Sequence, residues 1–161
     1  MAEIWIRPAK EEDIPLILSF IKELAGYERL SHEVSATEDL LWFHLFGERW
    51  GVEVVIGQHA DEPAGFALFF HNFSTFLGRP GIYLEDLYVK PELRGKGIGR
   101  AMLAHVAGLA KERDCGRLEW SVLDWNEPAI TLYRSIAAVS MDDWTVYRVA
   151  GEALDELAGL A

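Results

Sequence analysis

Tyr83-Leu84-Glu85-Asp86-Leu87-Tyr88-Val89-Lys90-Pro91-Glu92-Leu93-Arg94-Gly95-Lys96-Gly97-Ile98-Gly99-Arg100 is the stretch on which the fold turns. An alternating strand with two acids, residues 82–89, runs through a short charged loop into three glycines at every second position. Ile98, Met102, Leu103, Val106, Leu109 and Ala110 then trace one face of a helix that ends near 114–116. Glycine lets a backbone turn tightly and approach a ligand closely. The N–H groups at a helix start favour an anion, most often a phosphate. The spacing of the glycines leaves two readings open, a pyrophosphate cradle or turn chemistry alone. It is not G-x-G-x-x-G, and Lys96 lacks the following Ser or Thr of a Walker A loop.

Upstream, residues 4–7 read as a strand, and from Glu11 the positions Ile14, Ile17, Leu18, Ile21, Leu24 and Ala25 form one helical face. Pro15 falls in the first turn, where proline is tolerated. Ser35-Ala36-Thr37-Glu38 fits a capping box opening a second helix through Leu45. Residues 52–58 form a β-branched strand, Asp61-Glu62-Pro63 a turn, 65–73 a third strand and 74–81 a loop before the fourth strand. Downstream, 117–123 alternates as a strand. Asn126 caps a short helix that carries Ile130, Leu132 and Tyr133. Residues 144–149 read as a last strand, and the tail from Glu152 as a short terminal helix. The order β-α-α-β-β-β-α-β-α-β predicts an α/β class fold, an α+β mixed sheet with helices packed on it.

The 161 residues suit one domain, 1–161, and a hydrophobic half of the chain argues against disorder. A single cysteine, Cys115, excludes an intrachain disulfide framework or a cysteine-based zinc site and fits a reducing cytoplasm. It reads as a small buried hydrophobe. The start Met1-Ala2-Glu3-Ile4-Trp5 has no signal-peptide pattern, and the apolar run 66–70 is too short to cross a bilayer. The net charge of −11 disfavours nucleic acid and anionic membranes and favours a small cationic partner, although most such charges serve solubility. The five histidines show no metal-ligand spacing, so no metal is expected. As strand neighbours, Glu85 and Asp86 are expected to face opposite sides, one into a site and one into a structural contact.

Arg94-Gly95-Lys96-Gly97-Ile98-Gly99 matches the R/Q-x-x-G-x-G/A pattern of the GNAT superfamily of acyl-CoA-dependent N-acetyltransferases, with strand and helix in the expected order. Trp125-Asn126-Glu127-Pro128-Ala129-Ile130-Thr131-Leu132-Tyr133 resembles the Asn-to-Tyr segment of the same superfamily. Ile6-Arg7-Pro8-Ala9, Lys22-Glu23-Leu24-Ala25-Gly26-Tyr27-Glu28, Tyr83-Leu84-Glu85-Asp86 and Trp125-Asn126-Glu127-Pro128 resemble the diamine (spermidine/spermine) acetyltransferase family.

The resemblance implies a GNAT-like fold that binds acetyl-CoA. The backbone of Leu87, Tyr88 and Val89 would pair with the pantetheine arm. The N–H groups of Gly95, Lys96, Gly97, Ile98, Gly99 and Arg100, following Arg94, would hold the pyrophosphate. Asn126, Glu127, Pro128 and Ala129 would flank the cofactor. Tyr133 corresponds to the general acid near the thiol and Glu85 to the carboxylate that receives the amine proton. Tyr27, Glu28, Asp86 and Asp142 fall at acceptor-side positions, and Ser74 and Thr75 would meet a polar end of the acceptor. A homodimer is implied as well.

Two departures from the family pattern stand out. Ala137 replaces a glycine common four residues after the tyrosine. The loop Ser74-Thr75-Phe76-Leu77-Gly78-Arg79 lacks the acid and tryptophan of polyamine enzymes and looks more like the thialysine-acetylating branch. Three functions follow: acetylation of a small cationic amine, acetylation of a peptide amine, or acyl-CoA binding without catalysis. Intact Glu85 and Tyr133 favour the enzymes.

Overall fold

Val54 and Ile56 point to one side of the second strand, Val55 and Gly57 to the other, and a helix covers each side. This is the pattern of a strand buried on both faces. In the computed structural model, which describes residues 3–48 and 51–161, that strand is β2 (Glu53–His59). Its neighbours are β1 (Ile4–Pro8), β3 (Glu62–Ser74), β4 (Arg79–Val89) and β5 (Leu118–Trp120). The five strands lie in chain order; β1 to β4 are antiparallel, and β5 joins β4 in parallel. Met1 and Ala2, which belong to the start read as leaderless, lie outside the described residues.

Helix α1 (Ile14–Tyr27) lays Ile17 and Phe20 on Val54, Ile56, Phe66 and Tyr88. The Phe20 and Phe66 rings stack at 5.7 Å. Its start is fixed by Asp13, which accepts both arms of the Arg7 guanidinium at 2.7 and 2.8 Å and the Lys10 N–H. Helix α3 (Ile98–Glu112) buries Ile98, Met102, Leu103 and Val106 on the other face. Gly57 lets α3 pack close there: a Cβ would stand 2.9 Å from the Met102 sulfur, and that side chain would have to shift.

Four expectations need correction. The second helix is capped by Thr37, whose hydroxyl accepts the Leu40 N–H, and not by Ser35. Its α-helical part, α2 (Glu38–Trp42), passes into a π turn (Phe43–Gly47). The expected loop 74–81 contracts to a turn at 75–78, and β4 already begins at Arg79. The strand expected over 117–123 survives only as β5, because its ladder with β4 stops at the Leu84–Trp120 pair. Residues 144–149 form no strand, so helix α4 (Glu127–Ser135) is followed directly by helix α5 (Glu152–Ala158). Alternation alone makes no strand: a ladder needs a neighbouring strand, and Trp144 and Tyr147 are 76% and 92% exposed.

The chain divides into two compact units, one running to Trp125 and the other from Asn126. The second unit holds α4 and α5. Helix α4 ends in a Schellman motif: Ala138 N–H donates to Tyr133 C=O and Ala137 N–H to Arg134 C=O. Ala137 sits at φ +61 in the left-handed region, where an L side chain costs about 1–2 kcal/mol. Glycine would remove that strain but adds ~0.5–1 kcal/mol of unfolded-chain entropy. Ala137→Gly is therefore expected to raise stability by ~0.5–1 kcal/mol, read as a Tm rise of about 1–4 °C. A Tm that stays level or falls would show that the turn carries no strain.

Candidate active site

Strand β4 holds one residue more than the stretch of β3 it faces. Leu68 pairs with Asp86 and Phe69 with Leu84, so Glu85 is the extra residue of a β-bulge. The bulge interrupts alternation. Glu85 and Asp86 therefore do not face opposite sides as expected; both line one cavity of about 410 Å³. The rest of the lining comes from the end of α1 and from residues 30–36, including Leu24, Val34, Glu28 and Glu33. Apolar side chains form the wall, Glu28, Glu33, Glu85 and Asp86 supply carboxylates, and among the described residues no basic one lines the cavity.

Burial, with Glu85 and then Glu28 nearby, pushes the Asp86 carboxyl from its ordinary 3.8 up to about 6. Burial also raises Glu28. Crowded acids in a partly desolvated cleft disfavour their own ionisation, and a bound cation relieves that cost.

The bulge shapes a second feature. Strand β5 pairs only with Ile82, Tyr83 and Leu84, so the β4 edge from Glu85 to Val89 has no ladder on that side. Lys90 N–H donates to Ala64 C=O of the other neighbour. By alternation Tyr88 also turns its backbone toward β3, while Leu87 and Val89 turn theirs toward the side β5 has left. Val89 C=O accepts from Arg94 Nε at 2.9 Å. Leu87 and the Val89 N–H thus offer a strand-like edge to an extended ligand.

That edge leads into the glycine loop. Gly95 and Gly97 have φ of +78° and +88°, and a Cβ at either would meet nothing within 4 Å. The loop backbone is thus open to a ligand at both glycines. Gly97 caps α3, whose first backbone bond runs from Ala101 N–H to Gly97 C=O. The N–H groups of Ile98 and Gly99 stand ahead of that bond at the positive end of a 15-residue helix. The first turn has no acid, and Lys96 and Arg100 flank it. Cations gathered where the helix dipole is already positive suit an anion. The loop and the open edge together suit an extended ligand ending in phosphates.

The remaining expected residues are scattered. Tyr27 ends α1 and packs on Trp125, ring centroids 5.8 Å apart. Ser74 is buried at the β3–β4 turn, where its hydroxyl accepts from Leu77 N–H, and Thr75 is exposed beside it. Arg79 follows that turn and lies six residues before Glu85 on β4, ~20 Å along a strand. Ser74 and Thr75 thus stand apart from the acidic cavity within one chain.

In the second unit Asn126 caps α4, its carboxamide oxygen accepting from Ala129 N–H at 3.4 Å. Glu127 and Pro128 occupy the first turn. Tyr133 follows Asn126 by two helical turns and is half-buried. Asp142 accepts from the Ser140 hydroxyl and is exposed. Glu33 and Val34 were not expected in a site. They sit at the end of a short 3-10 turn (Ser31–Glu33) with no apolar period, so the sequence holds no signal for them. Among the described residues no group of three or more His, Cys, Asp or Glu is placed to hold a metal. No helix among them is long and apolar enough to cross a membrane.

Comparison with known proteins bears on this geometry. The acetyltransferase (GNAT) family model matches residues 17–137. The chain is 41% identical to the thialysine N-epsilon-acetyltransferase of Bos taurus, over 99% of each chain. It is 30% identical to an L-ornithine N5-acetyltransferase of Arabidopsis thaliana, over 94% of this chain and 86% of that one. Among solved structures, an integron cassette protein from the mobile metagenome of V. cholerae superposes with a TM-score of 0.79 at 31% identity, covering 96% and 97% of the two chains.

Proposed function

The chain belongs to the GNAT acetyltransferase family and is an amine N-acetyltransferase, and from that premise we propose that its acceptor is a small cationic amine with a second charged group, such as thialysine, ornithine or a short diamine. The observation that carries this reading is the cavity at the β4 bulge, apolar along its wall and lined by Glu28, Glu33, Glu85 and Asp86, with no basic residue among the described ones. An alkyl chain suits Leu24 and Val34, and an ammonium suits the carboxylates through charge-assisted hydrogen bonds. Relatives that act on thialysine and ornithine point the same way.

Acetyl-CoA supplies the activated acetyl thioester. The N–H groups of residues 95–100 hold its pyrophosphate, the outward backbone of Leu87 and Val89 pairs with its arm, and residues 126–129 flank it. The protonated amine, with an ordinary pKa of ~10.4, is not nucleophilic at neutral pH. Glu85 takes its proton, directly or through water, and the nitrogen attacks the thioester carbon. As the carbon–sulfur bond breaks, the Tyr133 hydroxyl gives the sulfur a proton, and the nitrogen's second surplus proton returns, directly or through water, to the tyrosinate, leaving the amide and the free thiol. Transfer is direct, without a covalent intermediate on Cys115. The family match crosses from one compact unit into the other, which supports a single functional domain over 1–161.

The exposed Met141, Trp144, Val146 and Tyr147 support a homodimer, in which a second copy covers them. A species of 18 kDa alone in light scattering would remove that part of the reading. One cysteine in the chain suits the cytoplasm.

The direct test is an amine panel with acetyl-CoA, followed by thiol release. Thialysine, ornithine and putrescine are expected to exceed spermine in kcat/KM, and Tyr133→Phe to lower kcat by ~10²-fold with CoA affinity retained. A panel led by spermine refutes the small-acceptor reading, and acetylation of peptides alone refutes the acidic cavity as the acceptor site.

A further inference from the structure

Arg94 opens the glycine motif, yet its guanidinium turns away from the glycines. Its Nε donates to Val89 C=O at 2.9 Å, and its central carbon stands 4.5 Å from the Tyr27 ring centroid and 5.6 Å from that of Tyr88. Tyr88 is buried and donates its hydroxyl to Glu23 of α1 at 2.6 Å. Tyr27 packs on Trp125, and Arg29 lies 4.7 Å over the Trp125 ring. The result is one stack, Tyr88–Arg94–Tyr27–Trp125–Arg29. Glu28 sits between two of its members in sequence. Arg29, at φ +63, is the left-handed residue of the Schellman turn that ends α1, in which Leu30 N–H donates to Ala25 C=O and Arg29 N–H to Gly26 C=O.

Gly95 and Gly97 have no contacts around their Cβ positions, so the loop's order depends on its anchors. We propose that Arg94 is a positioning residue whose guanidinium couples the glycine loop to Glu28 of the acidic cavity, so that the acyl carrier and the amine bind cooperatively. This rests on the function proposed above. A pyrophosphate fixes the loop backbone, the loop fixes Arg94, and Arg94 fixes Tyr27 and the end of α1. The first ligand then meets an ordering cost that the second does not meet again. Such coupling is reciprocal. The flat guanidinium lies over Tyr27 and Tyr88 while its Nε donates to Val89 C=O; a lysine ammonium can meet one ring face but cannot stack flat and hold that carbonyl together.

The test is calorimetric titration of CoA, which cannot turn over, into protein alone and into protein saturated with thialysine. Wild type is expected to bind CoA at least ~5-fold more tightly with thialysine present. Arg94→Lys and Tyr27→Leu should each bring that ratio close to one, and Tyr27→Phe, which keeps the ring, should restore it. A merely structural role would lower thermal stability without moving the ratio. CoA binding in wild type that thialysine does not change overturns the coupling and leaves the proposed function standing. A ratio kept by both Arg94→Lys and Tyr27→Leu overturns it as well. Wild type that fails to bind CoA at all sinks the underlying reading instead.

Discussion

Gly97→Val is expected to weaken CoA binding by at least ~10²-fold while leaving a folded protein. Two costs act at that position. The backbone is at φ +88°, where an L side chain loses about 1–2 kcal/mol and a β-branched one has little rotamer freedom left. That cost falls on the free protein. A second cost appears only with ligand. The new side chain enters space that holds no protein atom within 4 Å, so the fold has nothing to clash with. A phosphate drawn to the N–H groups of Ile98 and Gly99 would have to occupy that space. Loss of close approach removes several charge-assisted hydrogen bonds together, each worth roughly 1.5–3 kcal/mol. The binding defect should therefore exceed the stability defect. Gly108→Ala is the control, because Gly108 is an exposed residue within α3 with open space around it. It should raise helix stability by ~0.5–1 kcal/mol and leave CoA binding unchanged. Calorimetry and circular dichroism on the pair separate the two effects. Unchanged affinity in folded Gly97→Val would remove the loop from the cofactor site.

Gly97 could be singled out in the sequence because a glycine run before a helical period is a local signal. The caps and faces of α3 and α4 are local in the same sense, and both helices lie where the periodicity places them. The acidic cavity is not local. Whether Glu85 and Asp86 share a side depends on how many residues β3 sets against them, and no feature of 82–89 reports that count. The bulge also ends the β5 ladder, so the same hidden register shortened a predicted strand and opened the β4 edge. Residues 144–149 fail for a related reason, since they carry the alternation of a strand but lack a neighbour to pair with. Thr37 displaces Ser35 as the cap by only two residues, the ordinary ambiguity of a segment with two hydroxyls.

The bulge makes Asp86 the residue whose change should separate stability from function most sharply. Its pKa in the folded protein is about 6, above its ordinary 3.8. A carboxyl raised in this way favours folding while protonated, so its contribution is fully present below 3.8 and is lost as pH rises through about 6. At pH 7.5 the ionised group is a liability on the order of 2–3 kcal/mol. Asp86→Asn removes the charge and keeps the shape. It should stabilise the free protein by ~1–2 kcal/mol at pH 7.5 and by almost nothing at pH 4. The same change deprives the cavity of a carboxylate for the ammonium, a loss of roughly 2–5 kcal/mol when a charge pair in a desolvated site is broken. For thialysine, kcat/KM should fall ~10²–10³-fold through KM, with CoA affinity within about twofold of wild type. Wild-type kcat/KM should decline as pH drops below about 6, as the Asp86 charge is lost, and this limb should be missing in the variant. Thialysine binding at pH 6 should expel up to about half a proton per site from wild type, visible as a heat that scales with buffer ionisation enthalpy, and fewer from Asp86→Asn. A variant that gains stability but keeps its KM would show that Asp86 is crowded by Glu85 and Glu28 without facing the acceptor. A variant that loses stability at pH 7.5 would show that the carboxylate is compensated in the free protein, which would remove the reason for a cation to bind there.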